Sequence, residues 1–356
     1  MQNAFFRDLV VVELASVLAG PAVGQFFAEL GARVIKIEHP NGDMTRHWKL
    51  PSESQVQAHS AYYCSVNWGK EIHFIDLSTA EGYAHTLQYL EGADVVISNF
   101  RPEAAKRLKL GANVLRERFP RLIVGEISAY GPGDPRPAFD VVLQAEAGFL
   151  YMNGEPGGAP VKMPVALIDL MAAHQLKEGI LLALLQRERT GQGALVQTSL
   201  LEAALASLAN QASNWLMAGH IPQPMGTRHP NIAPYGDVFT TRDGKLILLA
   251  VGTDRQFAQL CTLLAKDEWI TNPVLATNAA RVRNRELLRD VLQDAIVHWE
   301  STVLLEKLEL LHVPAARIRD MKEVFELPQA QKMILEGKMP DGQTSRGVRT
   351  VAFAVS

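Results

Sequence analysis

The sequence predicts an α/β fold, with a large domain on a mostly parallel sheet, helices on both faces, and a smaller α+β domain after it. Three observations carry this expectation. Short β-branched runs alternate with helical stretches through the amino-terminal part of the chain. Residues 220–236, "HIPQPMGTRHPNIAPYG", hold four prolines and no helical period. Beyond them, strand-like and helical runs resume in a shorter pattern.

Taken in order, "LVVVEL" (9–14) is a buried strand, "GPAVGQFFAELGA" a helix and "RVIKIE" (33–38) a second strand. "IHFIDL" (72–77) is strand-like, and "TAEGYAHTLQYLEGA" is a helix closed by a glycine. "DVVISNF" (94–100), the helical "PEAAKRLKL" and the strand "RLIVGEIS" (121–128) complete the alternation. In such sheets ligands bind beyond the carboxyl ends of the strands. From Gly131 to Pro164, Gly and Pro predict a loop. A helix over 170–187, a tight turn at "RERTGQG", the strand "ALVQTS" (194–199) and a helix over 200–217 follow. Past the proline-rich stretch come the strand "KLILLAVG" (245–252), a helix near 254–265, helices across 281–311, and "DMKEVFELPQAQ". The chain closes on the strand-like "GVRTVAFAVS". The expected division is a large domain at 1–219, a linker or active-site loop at 220–236, a small domain at 237–325 and a carboxyl-terminal segment at 326–356 that returns to the large domain.

The 356 residues are 47% hydrophobic and 21% charged, enough for a sizeable core. A net charge of -3 without a basic block argues against nucleic acid or an anionic membrane surface as partner. Cys64 and Cys261 fit no zinc or redox spacing and read as buried thiols in a reducing compartment. The amino terminus lacks the pattern of a secretion leader, and no apolar run reaches the about 18 residues of a membrane span. A cytoplasmic protein is expected.

The turn "ELASVLAGPAVGQ" lacks G-x-G-x-x-G, so a nicotinamide cofactor is not expected, and Glu38 at the end of the second strand reads as a surface acid. No H-E-x-x-H or G-x-S-x-G occurs, so neither metal catalysis nor a serine hydrolase is indicated. Near the start of the stretch "KMPVALIDLMAAHQLKEGILLALLQ" sits one carboxylate, Asp169, at the head of an apolar helix. His174 lies about 140° around that helix from Asp169 and reads as a core or interface residue. Asp169 suits a helix N-cap. Beside free helix amides a carboxylate is expected to stay ionised, able to act as a nucleophile without a general base, and the same amides could stabilise an oxyanion.

The ordered stretches "AGPAVGQFFAELGARVIKIEHPNGDMTR", "IDLSTAEG", "DVVISNFRPEAAKRLKLG", "AFDVVLQAEAGF", "DLMAAHQLKEGILLALLQRERTGQGALVQTSLLEAAL" and "RHPNIAPYGDVFTTRDGKLILLAVG" resemble the class III CoA-transferases. That family includes formyl-CoA transferase, carnitine CoA-transferase and related acyl-CoA racemases. The resemblance runs almost from end to end. It implies a Rossmann-like CoA-binding domain, an interlocked homodimer, and an aspartate nucleophile at the head of the helix before "RERTG", here Asp169. It also implies CoA contacts at Val17, Leu18, Ala19, His39, Ile75, Asp76, Leu77, Ser78, Asn99, Phe100, Arg101 and Arg107, with Phe139 and Asp140 beside them. The expected reaction moves CoA from an acyl-CoA donor to a carboxylic acid acceptor through a mixed anhydride and an aspartyl-CoA thioester. No metal is needed.

Four departures qualify the resemblance. Leu18 stands where formyl-CoA transferase has a glutamine, which argues against a formyl-CoA and oxalate pair, or for an oxyanion held by backbone alone. The glycine-rich loop over that enzyme's aspartate is replaced by "MGTRHPNIAPYG", whose Arg228 and His229 become the expected acceptor-carboxylate ligands. Phe139 stands where the racemase branch has a histidine, and phenylalanine cannot move an α-proton. The sequence also stops some tens of residues before the family's usual end. A racemase or a silent CoA-binding relative are the alternatives to transfer.

Overall fold

The computed structural model describes residues 5–339 and 341–355. Residues 1–4, where the reading of a missing secretion leader begins, lie outside them. The chain divides into two compact units, one of residues 1–149, 162–221 and 329–356, the other of residues 150–161 and 222–328.

In the first unit the order is β1 (Val10–Glu13), α1 (Ala19–Glu29), β2 (Arg33–Glu38), α2 (Ala61–Cys64), β3 (Glu71–Phe74), α3 (Ala80–Glu91) and β4 (Val95–Ser98). There follow α4 (Pro102–Leu108), α5 (Ala112–Arg118), β5 (Ile123–Ser128), α6 (Asp140–Glu146), α7 (Phe149–Met152, of which only Phe149 belongs to this unit), α8 (Leu167–Thr190), β6 (Leu195–Ser199), α9 (Leu200–Ala206) and α10 (Ala209–Ala218). The six strands form one parallel sheet in the order β3-β2-β1-β4-β5-β6. Chain direction across the sheet therefore switches between β1 and β4, which opens a crevice at their carboxyl ends.

Alternation along the strands feeds two cores. Val11, Val95, Ile97 and Ile123 pack with Phe27 of α1 and Leu176 and Ile180 of α8. Val12, Val96 and Val124 pack on the other face with Leu87 and Leu90 of α3 and Leu115 of α5. α8 lies against β5 and β6 where glycines leave room: a Cβ on Gly179 would meet Val196 Cγ1 at 2.4 Å, and one on Gly125 would meet Ile180 Cδ1 at 3.1 Å.

One polar cluster sits inside this apolar frame. Glu13, Lys36 and Lys70 are all buried. Lys36 Nζ donates to Glu13 Oε1 at 2.8 Å and to the Ala15 carbonyl at 2.9 Å. Lys70 Nζ lies 2.7 Å from Glu13 Oε2 and donates to Pro21 O and Asn67 Oδ1. Glu38 is buried too, not a surface acid: it accepts from Arg46 at 2.7 Å, from the Tyr63 hydroxyl at 2.6 Å and from the Asp43 amide at 2.8 Å.

The second unit is built on an antiparallel sheet of β7 (Tyr235–Thr240), β8 (Leu246–Ala250) and β9 (Ala315–Arg317). Its helices are α11 (Asp254–Leu263), α12 (Glu268–Thr271), α13 (Asn278–Arg283), α14 (Arg285–Ile296), α15 (Ser301–Leu310) and α16 (Met321–Phe325). Phe239, Ile247 and Leu249 of the sheet pack with Phe257, Leu260, Leu288, Leu292 and Leu304. Residues 150–161 join this unit rather than the large domain, because Gly226 N donates to Gly154 O at 2.8 Å and Tyr151 bonds Gln223. The last elements are α17 (Pro328–Gln331) and the hairpin of β10 (Ile334–Lys338) and β11 (Thr344–Val348).

Three expectations are corrected. The stretch from Gly131 to Pro164 is not all loop: α6 forms over "DVVLQAE", burying Leu143, and α7 follows. The single helix expected over 200–217 is two, broken where Ala209 adopts φ of 47°. The final strand ends at Val348; the amides of Thr350 and Val351 instead donate to the Glu29 carboxylate. Among the described residues no helix is long and apolar enough to cross a membrane. Cys64 and Cys261 are free and buried.

Gly24 faces the charge cluster so closely that an added Cβ would stand 1.8 Å from Glu13 Oε2. In an ordinary helix Gly→Ala adds about 1 kcal/mol of stability. Gly24→Ala is expected to do the reverse, lowering stability by roughly 3 kcal/mol or more as Glu13 is pushed off its lysines. Thermal unfolding checks this; an unchanged or higher Tm contradicts it.

Candidate active site

Two adjoining cavities open at the crevice between β1 and β4. The first, of about 460 Å³, is lined by His39, Ile75, Asp76, Leu77, Ser78, Phe100 and Arg107, together with Ser16, Met44 and the ends of β1 and β2. The second, of about 420 Å³, is lined by Val17, Leu18, Ala19, Asn99, Phe100, Arg101, Phe139 and Asp169, with Ser16, Met44, Asp134 and Arg136. Ser16, Met44 and Phe100 border both cavities. The structure thus brings together the residues singled out around the large domain's sheet. Arg228 and His229 lie in the second unit, where Arg228 pairs with Glu286 at 2.6 Å and His229 Nδ1 accepts from the Asn231 amide.

Asp169 is buried and is the third residue of α8, not its N-cap. Ala166 occupies the cap position without a side-chain bond. Asp140, the first residue of α6, caps α8 from outside. Its Oδ2 accepts from the Ile168 amide at 2.7 Å and the Asp169 amide at 3.4 Å, and Gln144 Nε2 donates to its Oδ1. This arrangement frees the Asp169 carboxylate for the cavity. Burial, and then the neighbouring Asp140, push the Asp169 carboxyl up to about 7. Against the expectation of a readily ionised carboxylate, burial and the neighbouring Asp140 favour the protonated form of Asp169. His174 is exposed on α8, so it is not a core residue.

Sequence reasoning missed Tyr62. Burial, then Asp169, Asp140 and Asp43, raise its phenol to about 12, so it stays a neutral hydroxyl within electrostatic reach of Asp169. Trp48 meets Tyr62 edge-on at 5.1 Å and Phe139 at 6.3 Å. Arg136 also went unnoticed. Its guanidinium lies 3.7 Å from the Tyr130 ring centroid and pairs with Asp134 at 2.7 Å. None of these residues stands at a spacing that marks it; the fold gathers them.

The raised Asp169 carboxyl makes stability depend on pH. Below about pH 4 the group is protonated in both folded and unfolded chains and carries no penalty. As pH rises toward 7 the unfolded chain loses this proton first, and stability falls by up to an order of 4 kcal/mol. Asp169→Asn is expected to raise Tm at pH 8, with the gain vanishing near pH 4. Calorimetry across that range checks it, and a gain that does not depend on pH contradicts it.

The profile of CoA-transferase family III matches residues 6–356. The chain is 38% identical over 349 residues to a succinate–glutarate CoA-transferase of Agrobacterium fabrum, covering 96% of this chain and 87% of that one. It is 34% identical over 338 residues to an acetyl-CoA:oxalate CoA-transferase of Acetobacter aceti, covering 93% and 85%. The crystal structure of a CaiB/BaiF family protein from Brucella suis superposes with a TM-score of 0.87 at 37% identity, covering 97% of this chain and 92% of that one. A sheet of Rossmann order, a cavity at its switch point and similarity along the whole chain agree: the chain belongs to CoA-transferase family III and is a CoA-transferase.

Proposed function

We propose that Asp169 is the nucleophile in transfer of CoA from an acyl-CoA to a carboxylic acid. The observation that carries this is a buried carboxylate bordering a cavity at the sheet's switch point, its helix amides bonded to another side chain.

An Asp169 oxygen attacks the thioester carbon; the C–S bond breaks and CoA thiolate leaves, giving a mixed anhydride. The thiolate attacks the Asp169 carbonyl carbon, releasing the donor acid and forming an aspartyl-CoA thioester. The acceptor carboxylate attacks that carbon, expelling thiolate and forming a second anhydride. The thiolate then attacks the acceptor's carbonyl, yielding the new acyl-CoA and free Asp169. A thiol of pKa about 8.5 leaves readily, and each step trades one activated carboxyl for another, so little free energy is lost. Water exclusion protects the anhydride, which the apolar Leu18, Ala19 and Leu200 around the cavity favour.

The first cavity is assigned to the nucleotide end of CoA, with Phe100 and Ile75 for the adenine and Arg107 for a phosphate. The acceptor is assigned to the cavity of Asp169, where Arg136, shared with Asp134, suits a small dicarboxylic acid of the kind named for the Agrobacterium relative, while Arg101 stays with CoA. Arg228 and His229 of the proline-rich loop remain candidate acceptor-carboxylate ligands, as the family resemblance implies; Arg228 pairs with Glu286 here. A homodimer is the proposed assembly. Leu182, Leu216 and Met217 on α8 and α10 are 68%, 76% and 87% exposed, apolar surface suited to a second copy.

Acyl-CoA followed by hydroxylamine is expected to mark Asp169 in a peptide mass map, and Asp169→Ala to lower transfer at least about a thousandfold. Full activity in that variant refutes the mechanism. Because attack needs the ionised carboxyl, kcat/KM for acyl-CoA is expected to rise with pH to a plateau above about 7. A rate independent of pH between 5 and 8 refutes that assignment.

A further inference from the structure

Val17 is the one β-branched residue with a positive φ among the described residues, at 73°. That left-handed region is a genuine outlier for such a side chain, and a strain of roughly 1–3 kcal/mol persists only where the surroundings enforce it. The enforcing contacts are visible. The Val17 amide donates to Asp43 Oδ2 at 3.1 Å. The Ser16 amide donates to Asn99 Oδ1 at 3.2 Å, and Asn99 Nδ2 donates back to Ser16 O at 3.0 Å. Asp43 is itself fixed: its Oδ1 accepts from the Thr45 amide at 3.0 Å and hydroxyl at 2.8 Å, and its Oδ2 lies 3.4 Å from Lys36 Nζ. Asp43 and Lys36 are both buried, at the wall of the first cavity.

Residues 16–19 border the same cavity as Asp169, and α1 starts from them without a side-chain cap. If Val17 relaxed to a negative φ, the peptide planes on either side of it would swing and that cavity wall would change shape.

We propose that Asp43 is a positioning residue for acyl transfer: its carboxylate holds Val17 in the left-handed well and so fixes the 16–19 wall of the cavity that Asp169 serves. The proposal rests on the reading of Asp169 as the nucleophile. It separates from simple structural support through glycine, which takes positive φ without penalty.

The test compares Asp43→Ala with Asp43→Ala/Val17→Gly. Asp43→Ala is expected to lower kcat at least tenfold, and adding Val17→Gly to restore at least threefold of it, although Tm is not restored. No rescue at equal folded fraction overturns the clamp, because a carboxylate needed only to balance Lys36 gains nothing from a glycine at 17. Asp43→Asn, which keeps the shape and can keep the Thr45 bonds, serves as the second background should Asp43→Ala fail to fold, with the same expected rescue. CoA affinity by calorimetry, repeated with Asp169→Ala present, keeps the two readings apart. Rescue of binding there supports the clamp whatever the nucleophile, and its absence overturns the clamp even if Asp169 is confirmed.

Discussion

Glu13, Lys36 and Lys70 meet under α1 with their charged groups out of water, and the crevice is framed by that meeting. Glu13 ends β1 directly opposite Lys36 of β2, and Lys70 directly precedes β3, so the cluster ties three neighbouring strands together. Such pairs add little net stability compared with apolar packing, but removing one member strands a buried charge at about 3–5 kcal/mol. The surroundings divide the protons unequally. Burial opposes charge on Lys36, yet Glu13, Asp43 and Glu38 outweigh it and hold its ammonium above the usual lysine range. For Lys70 burial wins, and the amine is pulled down to about 8. Asp43 extends the cluster to the backbone of the 16–19 turn, so electrostatics inside the sheet set the outline of a cavity at its rim.

At the other side of that cavity the arrangement is one of like charges. Asp140 takes the amides that a helix head normally offers to its own side chain, leaving Asp169 buried, without their help, beside another carboxylate. The conflict raises the energy of the ionised Asp169 carboxylate in the free protein. In the proposed reaction, bond formation to carbon removes that charge, so the proposed step relieves an unfavourable state. Tyr62, kept neutral by the same environment, adds a hydroxyl dipole rather than a further charge.

The sheet was legible because β-branched runs such as "RVIKIE" are strands on both pattern and composition, and β2 spans that run from end to end. α6 was hidden: it is two turns long, and the Gly and Pro residues around it dominate the local signal. Asp169 was singled out through the family resemblance, but its protonation could not be foreseen, since that depends on burial and on Asp140, 29 residues earlier in the chain. Glu38 was misread for the same reason. A strand-end acid faces solvent unless later segments cover it, and here Arg46 and Tyr63 do so. Asp43 and Tyr62 matter through contacts with distant residues, which no spacing along the chain records.

α8 carries Asp169 at one end and Arg187 at the other. Arg187 is buried, pairs with Asp94 at 2.9 Å and reaches the carbonyls of Asp94 and Arg121 below the sheet. The helix is thus pinned by an acid at its amino end and by a base at its carboxyl end, each opposite in sign to the end of the macrodipole it touches. Slippage by one residue would shift it about 1.5 Å and turn it about 100°, breaking both anchors together. α8 behaves as a strut whose length and rotational phase are set at the foot of the sheet, so the position of the Asp169 carboxylate at the rim is decided in part by a guanidinium eighteen residues further along the chain.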